Sequence, residues 1–102
     1  MGQVESNVGW GRVNAASGWV IEAWYGNGSQ GVHTAHRFGP LTASNVAVYR
    51  SICATAYNDG EAAWLTACGS AFAAWYAALP TDAIRVLVFE AARFAGEFGL
   101  DP

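Results

Sequence analysis

The chain changes character at Gly39-Pro40, and that change limits what it can fold into. Before this point glycines, β-branched residues and aromatics dominate; after it the sequence is alanine-rich, with apolar residues at helical spacing. A Gly-Pro pair is a strong break, because proline neither continues a helix nor donates into a sheet. The pair therefore divides a β region over 1–39 from a helical region over 40–102. No repeat, linker or charge block separates the two within 102 residues, so they are read as one domain.

In the first region, WVIEAWY (19–25) and VHTAHRF (32–38) flank the loop GNGSQG, which is a hairpin pattern. Closed symmetrically, the hairpin sets Tyr25 opposite Val32, Ala23 opposite Thr34, Ile21 opposite His36 and Trp19 opposite Phe38. Those eight residues then share the inward face. Val20, Glu22, Trp24, His33, Ala35 and Arg37 share the other, with Glu22 and Arg37 diagonal to one another. VGWGRVNA (8–15) reads as a further short strand weakened by glycine. The competing reading is a helix over 15–25, capped by Asn14 and closed by Gly26, which would make the chain all-α.

The second region reads as three helices. Thr42 or Ser44 caps the first, which runs to about Tyr57 with Val46, Tyr49, Ile52, Cys53 and Ala56 on one face. Asn58-Asp59-Gly60 is a turn signal. The second helix spans about Glu61 to Leu79 and stops at Pro80. Thr81 or Asp82 caps the third, which reaches about Gly99 with a stripe of Ile84, Leu87, Val88, Ala91, Phe94, Ala95 and Phe98. Glu90–Arg93 and Arg93–Glu97 pair along its outer side. The expected fold is α+β: a short N-terminal antiparallel β-hairpin layer followed by a three-helix antiparallel bundle.

Composition narrows the function. Apolar residues make up 53% of the chain and charged residues 13%, against a usual charged share of roughly a quarter. Mean hydropathy is +0.18. With so little charge, either much of the surface is Gly, Ala, Ser and Thr, or it is covered by other chains or by lipid. The net charge is −3, and the five basic residues, all arginine, are scattered. A nucleic-acid binder needs a clustered cationic footprint, so that class is excluded. The segment MGQVESNVGWG shows no charged region followed by an apolar one, so no signal peptide is expected, and a cytoplasmic setting or a viral or bacterial assembly is. Met1-Gly2 with Ser6 meets the bare myristoylation pattern and nothing more.

Several motifs have plainer readings beside the chemical one. GNGSQG matches the dinucleotide pattern G-x-G-x-x-G, but that chemistry needs a helix opening at the last glycine and an acid about twenty residues on. Gly39-Pro40 stops the first and 46–51 lacks the second. His33 and His36, with Cys53 and Cys68, supply zinc-type ligands without zinc-type spacing. Glu22 and His33 are the raw material of a weak acid–base pair, and no nucleophile motif accompanies them. Residues 62–81 carry no charge, with Trp64, Trp75 and Tyr76 near the ends and Gly69-x-x-x-Ala73 between. That suggests either a membrane contact through 62–79 or a helix buried within the bundle.

The expected function is a non-catalytic structural or assembly subunit without cofactor. It would bury apolar and aromatic surface in a homo-oligomer or larger complex, such as a shell, filament or virion component. Trp10, Trp19, Trp24, Trp64 and Trp75 are the candidate interface anchors. The alternatives are a small-ligand or metal site at His33, His36 and Glu22, and a membrane-associated accessory subunit.

Overall fold

The structure, a computed structural model, describes residues 6–15, 18–27 and 31–95. Strands β1 (Ser6–Ala15), β2 (Gly18–Asn27) and β3 (Gly31–Phe38) come first. Helices α1 (Ala43–Asn58), α2 (Glu61–Cys68), α3 (Ser70–Ala77) and α4 (Asp82–Ala92) follow. The strands form one antiparallel sheet in the order β1-β2-β3. This is the α+β arrangement that the texture change predicts, and the helix over 15–25 is replaced by β2. Within the sheet β1 does more than expected, since it pairs with β2 along all ten of its residues.

The register of the hairpin differs from the symmetric expectation. Ile21 pairs with Phe38, Ala23 with His36 and Tyr25 with Thr34, whereas Gly26 pairs with Val32 and Asn27 with Gly31. His33 is thus the extra residue of a bulge between Tyr25 and Gly26. Pairing beyond Tyr25 shifts one register step, and the bulge adds a second. Two steps restore parity, so Ile21, Ala23, Tyr25, Thr34, His36 and Phe38 keep the inward face. Residues 28–30, the middle of GNGSQG, lie outside the described residues. After Gly31 the chain continues as β3, so no helix N-terminus stands where a pyrophosphate would need one.

Thr42 caps α1 through its hydroxyl, which accepts from the Asn45 amide at 3.2 Å. The Asn45 side-chain amide also donates to the Pro40 carbonyl, across a Gly39–Pro40 bond that is cis. The buried face of α1 is Val46, Tyr49, Ile52, Cys53 and Ala56. Thr81 caps α4 in the same way, accepting from Ile84 at 3.1 Å.

The expected single helix from Glu61 to Leu79 is two. Gly69 adopts φ 98° and ψ 164°, ending α2 and opening α3. That backbone region is essentially reserved for glycine. Gly60 takes nearly the same conformation, φ 92° and ψ 178°, at the start of α2. Helix α4 also ends earlier than expected, at Ala92 with Arg93 as its cap. Phe98 and the Arg93–Glu97 pair fall outside the described residues.

Aromatic side chains hold the helices to the inner sheet face. Phe72, fully buried on α3, has its ring 5.6 Å from that of Trp10 on β1 and 5.5 Å from Phe38 on β3. It also meets Trp64 of α2 at 5.3 Å. Offset and edge-on pairs of this kind add about 0.5–1.5 kcal/mol each beyond the area they bury. Two indole N–H groups fix the layers: Trp10 donates to the Val88 carbonyl on α4 at 3.0 Å, and Trp75 donates to the Thr34 hydroxyl at 2.9 Å. Arg85 closes the α3–α4 corner, donating to the Leu79 carbonyl at 2.6 Å and to Ala77 at 3.3 Å, while binding Asp82. A cation there answers the orphaned carbonyls at the end of α3.

Candidate functional site

The tryptophans named as interface anchors separate into different roles. Trp64 is 0% exposed and Trp10 6% exposed, so both serve the protein's own core rather than its surface. Trp75 is half-buried against that core and bonded to Thr34. Trp19 pairs with Asn14 through β2, and its side chain lies outside the described residues. Trp24 stands apart, on the sheet face that turns away from the helices.

That outer face follows from strand alternation. Trp10, Ile21 and Ala23 join the core, with Val8, Tyr25 and Phe38 against it. Their neighbours Gly9, Gly11, Val20, Glu22, Trp24, Ala35 and Arg37 point the other way. Gly9 pairs with Trp24, and a Cβ on Gly9 would come within 2.6 Å of the Trp24 ring. The indole therefore lies across the glycine backbone. Above Gly11 the space is open, since a Cβ placed there would meet no atom of the described residues within 4 Å. Glu22 and Arg37 are direct cross-strand partners rather than diagonal ones, joined at 2.7 Å.

The expected ligand residues are not brought together. His36 faces the interior, 5.4 Å from the Phe72 ring and 4.7 Å from Phe38. Burial lowers its pKa from 6.5, which favours the neutral ring. Glu22 is on the opposite sheet face, and His33 is exposed at the bulge, its ring stacked on Tyr25 at 5.4 Å. Among the described residues no group of three or more His, Cys, Asp or Glu side chains could hold a metal ion. The Cys68 thiol is pushed up to about 12, by burial first and by Cys53 second. A reactive thiol needs the opposite shift. Tyr49 is raised by burial and by Cys53 beside it. Tyr76 is raised by burial and by Glu61, its hydroxyl standing 2.5 Å from the Glu61 carboxylate and 2.9 Å from the Arg85 carbonyl. These shifts all favour the uncharged form.

The long uncharged run is interrupted by Gly69, and among the described residues no helix is long and apolar enough to cross a membrane. The run instead supplies Trp64, Phe72, Tyr76 and Leu79 to the core.

The apolar stripe of α4 is wider than the core beneath it. Ile84, Val88, Ala92 and Ala95 are buried, but Leu87 is 46% and Phe94 48% exposed. Phe94 forms one wall of an open cleft of about 530 Å³ between α1 and the turn after α4. Arg50, Cys53 and Tyr57 line it from α1, and Arg93 adjoins Phe94. The Arg93 guanidinium lies 5.5 Å over the Tyr57 ring, and its Nη1 pairs with Glu90 at 3.3 Å. No motif announces this cleft, because its two sides come from helices far apart in sequence.

Comparison of the chain with models of protein families, with curated proteins and with solved structures finds no match in any of the three.

Proposed function

We propose that this protein is a non-catalytic assembly subunit that associates with copies of itself through the outer face of its sheet. The observation that carries this reading is Trp24, a half-buried indole lying across Gly9 on a face that it shares with Gly11 and Ala35. Tryptophan on a flat, weakly charged surface is the usual anchor of a protein contact. The charges on this face, Glu22 and Arg37, already neutralise each other. A partner therefore needs no opposite charge, and a second copy presenting the same face is complementary to it. The low charge content of the whole chain points the same way. A shell, filament or virion component is one form such assembly takes.

Native mass measurement together with light scattering tests the reading. The expected result is a discrete oligomer at micromolar concentration that Trp24→Asp converts to monomer. A monodisperse wild-type monomer under those conditions overturns it.

A further inference from the structure

We propose that the open edge of β1, together with the flank of α4 beneath it, is a second self-contact, in which two copies related by a two-fold axis join their sheets into one. This contact lies on a different surface from the outer face and stands without it. The two edges of the sheet are unlike. β3 is blunted in the ways that keep sheets from pairing: it is eight residues long, carries the His33 bulge and the exposed Arg37, and is followed by Gly39-Pro40. β1 is far less guarded. It runs for ten residues in unbroken register with β2, and SNVGWGRVNA contains no proline, lysine or acid, its one charged residue being Arg12. Among the described residues its one neighbour in the sheet is β2, and no backbone hydrogen bond joins it to a helix or loop. Its outward amides and carbonyls are a row that another strand can satisfy.

The helix below selects a second copy as the occupant. α3 reaches β3, where Trp75 bonds Thr34 and Phe72 meets Phe38, whereas α4 lies under β1, where Val88 accepts from Trp10. Phe89 of α4 faces along this layer toward α2, its ring 5.0 Å from that of Trp64. Leu87, two residues earlier, is turned about 200° from it and so faces the side of the open edge. It is 46% exposed and stands between Ala83 and Ala91 in a stripe without charge. Glu90, beside the stripe, is already paired with Arg93 at 3.3 Å. An extended peptide would satisfy β1 but leave this stripe uncovered. A second copy covers both layers at once. An antiparallel ladder is complementary to itself under a two-fold rotation, and the same rotation sets the two Leu87 flanks against each other.

Most of this contact is main-chain ladder with one leucine from each copy, so the expected Kd is weak, on the order of 100 µM. Trp24→Asp, which removes the outer-face contact, is therefore the background for the test. Sedimentation velocity of that variant between about 10 µM and about 1 mM should show monomer passing to dimer. Leu87→Lys added to it should weaken the dimer about tenfold or more. Amide hydrogen exchange at the two ends of the range should show new protection in β1 and none in β3. Wild-type protein gives the same readout if Trp24→Asp fails to fold. A monomer throughout the range overturns the proposal, as does a dimer indifferent to Leu87→Lys. So does protection of every β1 amide in the dilute monomer, which would mean that another part of the chain covers the edge. A Trp24→Asp variant still dimeric at the dilute end, and made monomeric by Leu87→Lys, supports this contact and overturns the outer-face reading.

Discussion

Glu22 and Arg37 face each other across β2 and β3 and share an ion pair at 2.7 Å, yet their side chains differ widely in exposure, 9% against 63%. The carboxylate is the buried partner and the guanidinium is its contact with solvent. Removing the cation should therefore cost more than removing the anion. Arg37→Ala is expected to destabilise the fold by about 1–2 kcal/mol, discounted for the solvent around the arginine. Glu22→Gln, which keeps the shape and removes the charge, should cost less. Urea unfolding of the two variants gives the ranking, and the reverse order would show that the carboxylate does not depend on Arg37.

Gly69 makes a sharper case, because only its backbone is at issue. A Cβ there would meet no atom of the described residues within 4 Å, so Gly69→Ala introduces no clash with them. The residue must nevertheless hold φ 98°, and the expected cost is about 1–3 kcal/mol. The substituted run is free to relieve that strain by joining α2 to α3. Far-UV circular dichroism distinguishes the outcomes: lower stability with unchanged helicity means the corner survives, and increased helicity means it straightens.

His36 ties stability to pH. Burial lowers its pKa below 6.5 in the folded protein, while the unfolded chain titrates near 6.5. Between these values the unfolded state binds more protons, so stability rises with pH. Above 6.5 the contribution is complete; it is lost as pH falls through the window and is gone below the folded value. His36→Leu should flatten the thermal midpoint between pH 6.5 and the lower value, whatever its effect on absolute stability.

The Cys68 thiol, held near 12, should alkylate slowly. At pH 8 its thiolate fraction is on the order of 100-fold or more below that of an ordinary cysteine. Iodoacetamide labelling followed by mass spectrometry gives the rate directly. Labelling as fast as in urea would show that the thiol is not shielded in the fold.

Trp10→Phe keeps a ring in the core and removes the donor to Val88. The lost hydrogen bond alone corresponds to about 1 kcal/mol, with cavity cost in addition. Trp10→Ala should cost about 3–5 kcal/mol and leave little folded protein. Equal effects in urea unfolding would mean that the bond, and not the ring, dominates.

How much of this is readable in the sequence varies by element, for physical reasons. Helix α1 is legible throughout, since a threonine cap and a five-residue stripe are both local signals; Val46, Tyr49, Ile52, Cys53 and Ala56 are all buried. The faces of the hairpin strands are legible, but not their register, because nothing local marks His33 as a bulge. The corner at Gly69 is hidden inside an alanine-rich run that reads equally well as one helix. In α4 the periodicity reports which residues are apolar, not how far the neighbouring core extends, so it places Leu87 and Phe94 inside although both are exposed. The cleft is the least legible feature. Its arginines are separated by 42 positions, from Arg50 to Arg93 with 51–92 between them, and they meet only through packing of α1 on α4.

The bond from Trp10 to Val88 also sets an order of events during synthesis. The strand that leaves the ribosome early holds a ring whose acceptor lies 78 residues downstream. Strands β1, β2 and β3 can pair as they emerge, and Tyr49 of α1 and Trp64 of α2 can reach Trp10, but the inner face is not fully covered until Phe72 of α3 and Val88 of α4 have been translated. Between the translation of β1 and that of α4 the nascent chain therefore leaves part of the apolar face of Trp10, Ile21 and Phe38 open to solvent or to a chaperone. The burden of keeping this protein from aggregating falls on the interval before its last described helix is complete.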